Sequence, residues 1–127
     1  EGMIPDPNPW IFGKDNLNQP LHITSHKFDE PRALALANAP ATEDCLSVHG
    51  FNGDEVPTVC IGGGNTEKAA IVARAVSRAL NGTGWKVEFP CAKHPGVHPS
   101  NIVNRCAKKG VQLEFSLTAH RLLTIER

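Results

Sequence analysis

Pro57-Thr58-Val59-Cys60-Ile61-Gly62-Gly63-Gly64-Asn65-Thr66-Glu67 and its continuation through Leu80 to Phe89 decide the fold. Pro57 to Ile61 is short and rich in β-branched residues, the composition of a strand. Gly62, Gly63 and Gly64 make a tight turn, and Thr66 with Glu67 marks a helix N-terminus. From Glu67 to Leu80, Ala69, Val72, Ala73, Val76 and Leu80 recur at helical spacing, while Arg74 and Arg78 fall elsewhere on the wheel. This is an amphipathic helix with one apolar stripe, and Asn81-Gly82 ends it. Trp85 to Phe89 reads as the next strand. The three together form a βαβ unit, with a right-handed crossover expected.

Further elements lie on both sides. Cys45 to Phe51 is a strand running into a glycine-containing loop, and Val111 to Leu117 is the last strong strand. Thr118 to Glu126 reads as a closing helix. Upstream, Asp29-Glu30-Pro31 marks a helix start, with Asp29 accepting the first free N–H groups and Pro31 tolerated in the first turn. That helix is expected to reach about Asn38, with Leu34 inward and Pro40 as the stop. Leu21 to Ser25 reads as a strand end. Before it, Pro5, Pro7, Pro9 and Pro20 predict an extended lead-in, pinned to the body by Trp10, Ile11 and Phe12. The fold class is α/β with a mixed sheet. Residues 1–127 are one domain's worth of chain, but strands are few for such a sheet, so the domain is expected to begin upstream of Glu1.

Composition narrows the function. Hydrophobic residues make up 40%, which excludes general disorder. No apolar run approaches the ~20 residues that span a bilayer. Thirteen basic and thirteen acidic residues cancel, so net charge does not draw the chain to nucleic acid or anionic lipid, and no aromatic-basic platform for nucleic acid is present. Cys45, Cys60, Cys91 and Cys106 lack the short C-x-x-C spacing of a structural zinc module. Two disulfides in an oxidising compartment are the expectation, and with it secretion. Of the three pairings that four cysteines allow, Cys45–Cys60 would staple neighbouring strand segments and Cys91–Cys106 would close the His-Pro loop. Asn81-Gly82-Thr83 is a glycosylation sequon. The chain begins at Glu1 without a basic-then-apolar leader, as a processed product or a cut chain would.

Among the histidines, His49 stands at the C-terminal end of a strand, where open α/β sheets place their ligands. It reads as a metal ligand or general base, or as a hydrogen-bonded strand cap. His22 and His26 would share a strand face but lie ~13 Å apart, too far to share one ion. His94 and His98 sit in a proline-broken loop and read as solvent-facing, and His120 as surface. Strict alternation in Val111 to Leu117 gives Gln112, Glu114 and Ser116 one face. Glu114 is ordinary if that face meets solvent and an obvious general base if it lines a cleft. Asn104-Arg105, beside Lys108 and Lys109, offers a guanidinium that can clamp a carboxylate. The triple glycine lacks the Lys-Ser/Thr ending of a P-loop.

Four segments together carry a resemblance. They are Glu1-Gly2 with Leu21-His22-Ile23-Thr24-Ser25-His26-Lys27-Phe28-Asp29-Glu30-Pro31; Ser47-Val48-His49-Gly50-Phe51-Asn52-Gly53-Asp54-Glu55; Val59-Cys60-Ile61-Gly62-Gly63; and Asn101-Ile102-Val103-Asn104-Arg105 with Gly110-Val111-Gln112-Leu113-Glu114-Phe115-Ser116. In this order they resemble the poly-γ-glutamate hydrolase family of zinc peptidases. The resemblance implies a carboxypeptidase-like α/β domain, of which this chain is the C-terminal two-thirds, and one catalytic zinc. His49 corresponds to the ligand in the family's Ser-x-His-Gly motif. Glu114 corresponds to the base that activates a water whose pKa the zinc lowers. Arg105 and Asn104 are candidates for holding a glutamate carboxylate, and His22 and His26 are placed near the site. The family's upstream His-Gly-Gly-Gly…Glu motif, with two of its three zinc ligands, has no counterpart here. His49 alone cannot hold a catalytic zinc. Two expectations follow: a secreted γ-glutamyl hydrolase completed by an N-terminal chain of the same precursor, or a non-catalytic secreted toxin or effector subunit on the same scaffold.

Overall fold

The computed structural model describes residues 23–125. The proline-rich lead-in, the anchors Trp10, Ile11 and Phe12, and His22 lie outside the described residues. The elements in chain order are α1 (Pro31–Ala37), β1 (Cys45–Phe51), β2 (Thr58–Gly62), α2 (Thr66–Ala79), β3 (Lys86–Glu88), a 3-10 turn (Ile102–Asn104), β4 (Gly110–Ser116) and α3 (Leu117–Ile125). The strands form one mixed sheet in the order β1-β4-β2-β3. β1 runs parallel to β4 and β2 parallel to β3, while β2 and β4 are antiparallel.

Local chemistry explains the helix ends. α2 starts one residue earlier than its periodicity suggests, because the Asn65 side chain accepts from the Lys68 N–H at 3.0 Å and so caps the first turn. At α1 the cap is Glu30 rather than Asp29. Pro31 in the first helical position has no N–H to satisfy, and the Glu30 carboxylate accepts the Ala33 N–H at 2.6 Å. Thr24 to Lys27 is a turn closed by the Lys27 N–H on the Thr24 carbonyl, not the end of a strand.

The core lies between α2 and one face of the sheet. Val59, Ile61, Val111, Ala69 and Ala73 are buried there, with Val72, Val76, Leu80, Val87, Leu113 and Phe115 packed around them. Small alanines on α2 let the helix sit close to the strands. Gly63 has a φ of 110°, and a Cβ there would collide with the Gly110 carbonyl. The triple glycine thus lets the β2–α2 turn pass β4, and the Gly64 N–H donates to Asn104 Oδ1 at 2.8 Å.

The disulfides are Cys45–Cys106 and Cys60–Cys91, with Cα separations of 6.1 and 5.1 Å. Neither expected pair, Cys45–Cys60 or Cys91–Cys106, forms. β4 lies between β1 and β2, so Cys45 and Cys60 stand two strands apart, roughly 10 Å across the sheet, and four residues out of register as well, beyond disulfide reach. Cys45 opposes Gly110 in register, and Cys106 lies just before that residue. Cys91 follows β3, which pairs with Cys60's own strand. Among the described residues, no helix is long and apolar enough to cross a membrane.

Candidate active site

Residues directly opposed in a sheet share a face. The register therefore lines up His49, Glu114, Cys60 and Glu88 across all four strands on the face away from α2. Ser47 opposes Gln112 on the same side. The loop after β3 crosses this face and is tied down at three points. The Cys91 N–H donates to the Ile61 carbonyl at 2.9 Å, the Gly63 N–H to the Pro95 carbonyl at 2.8 Å, and the Asn104 side-chain amide to the Gly96 carbonyl at 2.7 Å. The Cys60–Cys91 disulfide makes a fourth, covalent tether. Between this loop, the turn at Thr24–His26 and the strand face lies a cleft of about 630 Å³, whose lining includes His49, Glu114, Gln112, His26, His94 and His98.

Glu114 is the chemically singular group. It is 6% exposed, although it stands on the face that alternation alone could have given to solvent. Burial pushes its carboxyl up to about 7, against a weaker opposing effect of the Gln112 hydrogen bond. Gln112 Nε2 donates to Glu114 Oε1 at 2.9 Å, and Asn101 Nδ2 donates to Gln112 Oε1 at 2.9 Å. Asn101 in turn accepts the Val103 N–H at 3.1 Å. A chain of amides anchored in the 3-10 turn thus sets the carboxylate's rotamer. A carboxyl poised near neutrality at the edge of a cleft is suited to accept a proton from a bound water or substrate.

The structure brings His49 and Glu114 together, as partners in register across β1 and β4. His26 reaches the cleft rim, its ring 5.3 Å from that of His98. His94 also lines the cleft, with its ring 5.3 Å from Phe51. His98 is exposed, as expected, and His94 half-buried, and both line the cleft, while His120 is half-buried against Phe115 and Gly50. Asn104 does not line the cleft. Its amide holds the cleft loop through Gly96 and His98. Arg105 is exposed at the end of the 3-10 turn, outside the cleft lining. Asn81 is exposed in the turn after α2. Sequence reasoning passed over Gln112 and Asn101. The shared strand face of Gln112 and Glu114 was the available signal.

Among the described residues, the one group of three ligating side chains with atoms within 4.8 Å is Cys60, Glu88 and Cys91. Its two sulfurs are bonded to each other, and a disulfide sulfur is not the thiolate that binds metal. His49 supplies one imidazole to the cleft, and no trio of ligating atoms forms around it among the described residues. The described residues by themselves do not make a three-ligand zinc site.

A family model described as poly-gamma-glutamate hydrolase matches residues 11–124. The UPF0714 protein YndL of Bacillus subtilis (strain 168) is 33% identical over 103 residues, which is 80% of this chain and 38% of YndL. The SPbeta prophage-derived UPF0714 protein YoqZ of the same bacterium is 33% identical over 80% of this chain and 35% of its own length. Among solved structures, a bacteriophage poly-gamma-glutamate hydrolase superposes with a TM-score of 0.69 at 37% identity, covering 82% of this chain and 48% of that one. A structure described as zinc-free apo YndL superposes at 0.67 with 32% identity, covering 84% and 50%. The chain spans about two-fifths of the length of the curated relatives and about half of each solved chain. On the match of residues 11–124, with His49 and Glu114 opposed in one cleft, this chain belongs to the poly-γ-glutamate hydrolase family.

Proposed function

We propose that this chain is part of a secreted zinc-dependent hydrolase that cleaves γ-glutamyl amide bonds. The observation that carries this reading is the placement of a buried Glu114, its carboxyl raised to about 7, opposite His49 in a 630 Å³ cleft. Glu114 accepts the proton of the attacking water and passes it to the leaving amine. The Asn101–Gln112 amide chain keeps its carboxylate aimed during both transfers. His49 is one zinc ligand. The others come from an N-terminal chain of the same precursor, because the described residues hold no complete set. An anionic γ-glutamyl substrate meets Lys93 and the rim histidines His26 and His98 in the cleft. Arg105 engages carboxylates of a longer polymer beyond it, with His22 assigned to the same substrate path. The two disulfides and the exposed sequon at Asn81 support secretion and glycosylation.

Native mass spectrometry tests the assembly. A mass above 13.7 kDa by one polypeptide and one zinc ion, with hydrolysis of γ-glutamyl oligomers, supports the reading. A metal-free species of the chain's own mass, inert to those oligomers, overturns it. The lack of a three-ligand set among the described residues favours a second reading, a non-catalytic secreted toxin or effector subunit that keeps the scaffold. That reading requires the inert, metal-free outcome.

A further inference from the structure

A second recess, of about 490 Å³, lies between α2 and β3. Val87 pairs in register with the core residue Val59, whereas Glu88 pairs with Cys60 on the cleft face. Alternation therefore turns Val87 and Phe89 toward α2, on the side of the sheet opposite the cleft. The floor of the recess is apolar, made by Ala73, Val87 and Phe89, and the Phe89 ring is 41% exposed. Its helical wall carries Arg74, Ser77 and Arg78. The two arginines stand four positions apart, displaced by ~6 Å along the axis on one side of the helix. Both are exposed, and among the described residues neither makes an ion pair or a side-chain hydrogen bond. The nearest acids along the chain, Glu67 and Glu88, do not line the recess, and Glu88 is paired with Lys86. Like charges at this spacing repel each other and weaken a helix. Arg78, in the last turn, complements the helix dipole. Arg74 lies a turn earlier and has no such compensation.

We propose that this recess is a second binding site for a γ-linked glutamyl chain, remote from the cleft, with Arg74 and Arg78 each clamping one carboxylate. Charge complementarity selects an anion: two free guanidiniums offer paired N–H donors in the planar fork that matches a carboxylate. The floor selects the linkage. In a γ-linked chain two methylene groups lie in the backbone between successive amides, and each carboxylate branches directly from that backbone. Methylenes set against Val87 and Phe89 leave the carboxylates turned to the arginine wall. An α-linked chain has an amide at every third backbone atom and would press those polar groups onto a floor that cannot hydrogen-bond them. The Ser77 hydroxyl serves the one amide nearest the wall. Recess and cleft open on opposite faces of the sheet, so the site holds polymer away from the point of cutting and raises its local concentration. The identity of the polymer rests on the proposed function; the anion-binding recess rests on the geometry.

The experiment titrates the whole chain with a synthetic γ-glutamyl decamer and follows nitrogen-15 NMR signals, including the arginine side-chain N–H groups. The expected result is a saturable shift of the amides of residues 73–78 and 87–89 and of the Arg74 and Arg78 side chains, weakened by added salt. Arg74→Gln with Arg78→Gln should raise the dissociation constant read at the 87–89 amides by about tenfold or more. The double lysine variant should lose less, since it keeps the charge without the fork. Arg32→Gln, the same charge change at an exposed site on α1, should leave the constant unmoved. Shifts confined to the cleft, an unchanged constant in the double glutamine variant, or tighter binding of α-linked decaglutamate or inorganic polyphosphate overturns the inference. Recess binding by a protein whose completed assembly cuts no γ-glutamyl chain defeats the proposed function alone. Hydrolysis of long polymer with a KM that the double glutamine variant does not raise defeats this inference alone.

Discussion

At the scale of single residues, Glu114 sets a pH dependence that can be read directly. Its carboxyl titrates near 7 in the fold and near 4.5 when unfolded, so the folded chain holds that proton more tightly. The contribution to stability is fully present below about pH 4.5 and is lost as pH rises through about 7. For a side chain this enclosed, the loss is about 2 kcal/mol after allowance for solvent screening. Urea unfolding of the metal-free chain at pH 5 and pH 8 should show the fall, and Glu114→Gln should flatten it while preserving the fold. In the assembly proposed above, the same substitution should abolish hydrolysis. Retained activity would move the base elsewhere. Gln112→Ala removes a hydrogen bond that lowers the Glu114 pKa, so carboxyl-carbon NMR titration should find the value higher still.

At the scale of elements, hydrogen bonds at Gly63, Cys91 and Asn104 and the Cys60–Cys91 disulfide hold the cleft wall over the sheet. Gly63→Ala places a Cβ against the Gly110 carbonyl at a backbone φ of 110°. It should cost about 2–3 kcal/mol by urea unfolding, from collision and conformational strain together. The disulfides close segments with sequence separations of 61 and 31. Replacing either pair by serine should cost about 2–4 kcal/mol, more for Cys45–Cys106 because its loop is longer. Only loss of Cys60–Cys91 should also loosen residues 91–98, read as faster proteolysis of that loop. Non-reducing peptide mapping should link Cys45 to Cys106. A Cys45–Cys60 peptide would contradict the sheet order itself.

At the scale of the whole molecule, the described residues form one four-stranded sheet with a short charged edge at β3 and a longer apolar edge at β1. Its cleft holds the buried Glu114 carboxyl with His49 opposite it and His26, His94 and His98 along the lining. Zinc titrated into the chain alone should bind weakly and be lost on dialysis, followed by inductively coupled plasma mass spectrometry. The same treatment of the assembled protein should leave about one zinc per complex, since full ligation is what retains the ion. Tight stoichiometric binding by the chain alone would show that its own residues complete the site.

The elements were legible because their signals are local. The apolar stripe of Ala69, Val72, Ala73 and Val76 specifies a helix wherever it packs, and β-branched runs specify strands. His49 was legible from its place at a strand end, and it and Glu114 as a pair from the family motifs. Three things were settled only by the tertiary structure. Alternation in Val111–Leu117 leaves both faces open, and it is the Cys91–His98 loop, crossing the sheet, that buries Glu114 and raises its carboxyl. The disulfide partners depend on β4 inserting between β1 and β2, a pairing between segments more than fifty residues apart that no local pattern encodes. The cleft roles of His94 and His98 depend on the same loop. Periodicity reports which side of an element is apolar; what lies against the other side is decided by contacts between distant parts of the chain.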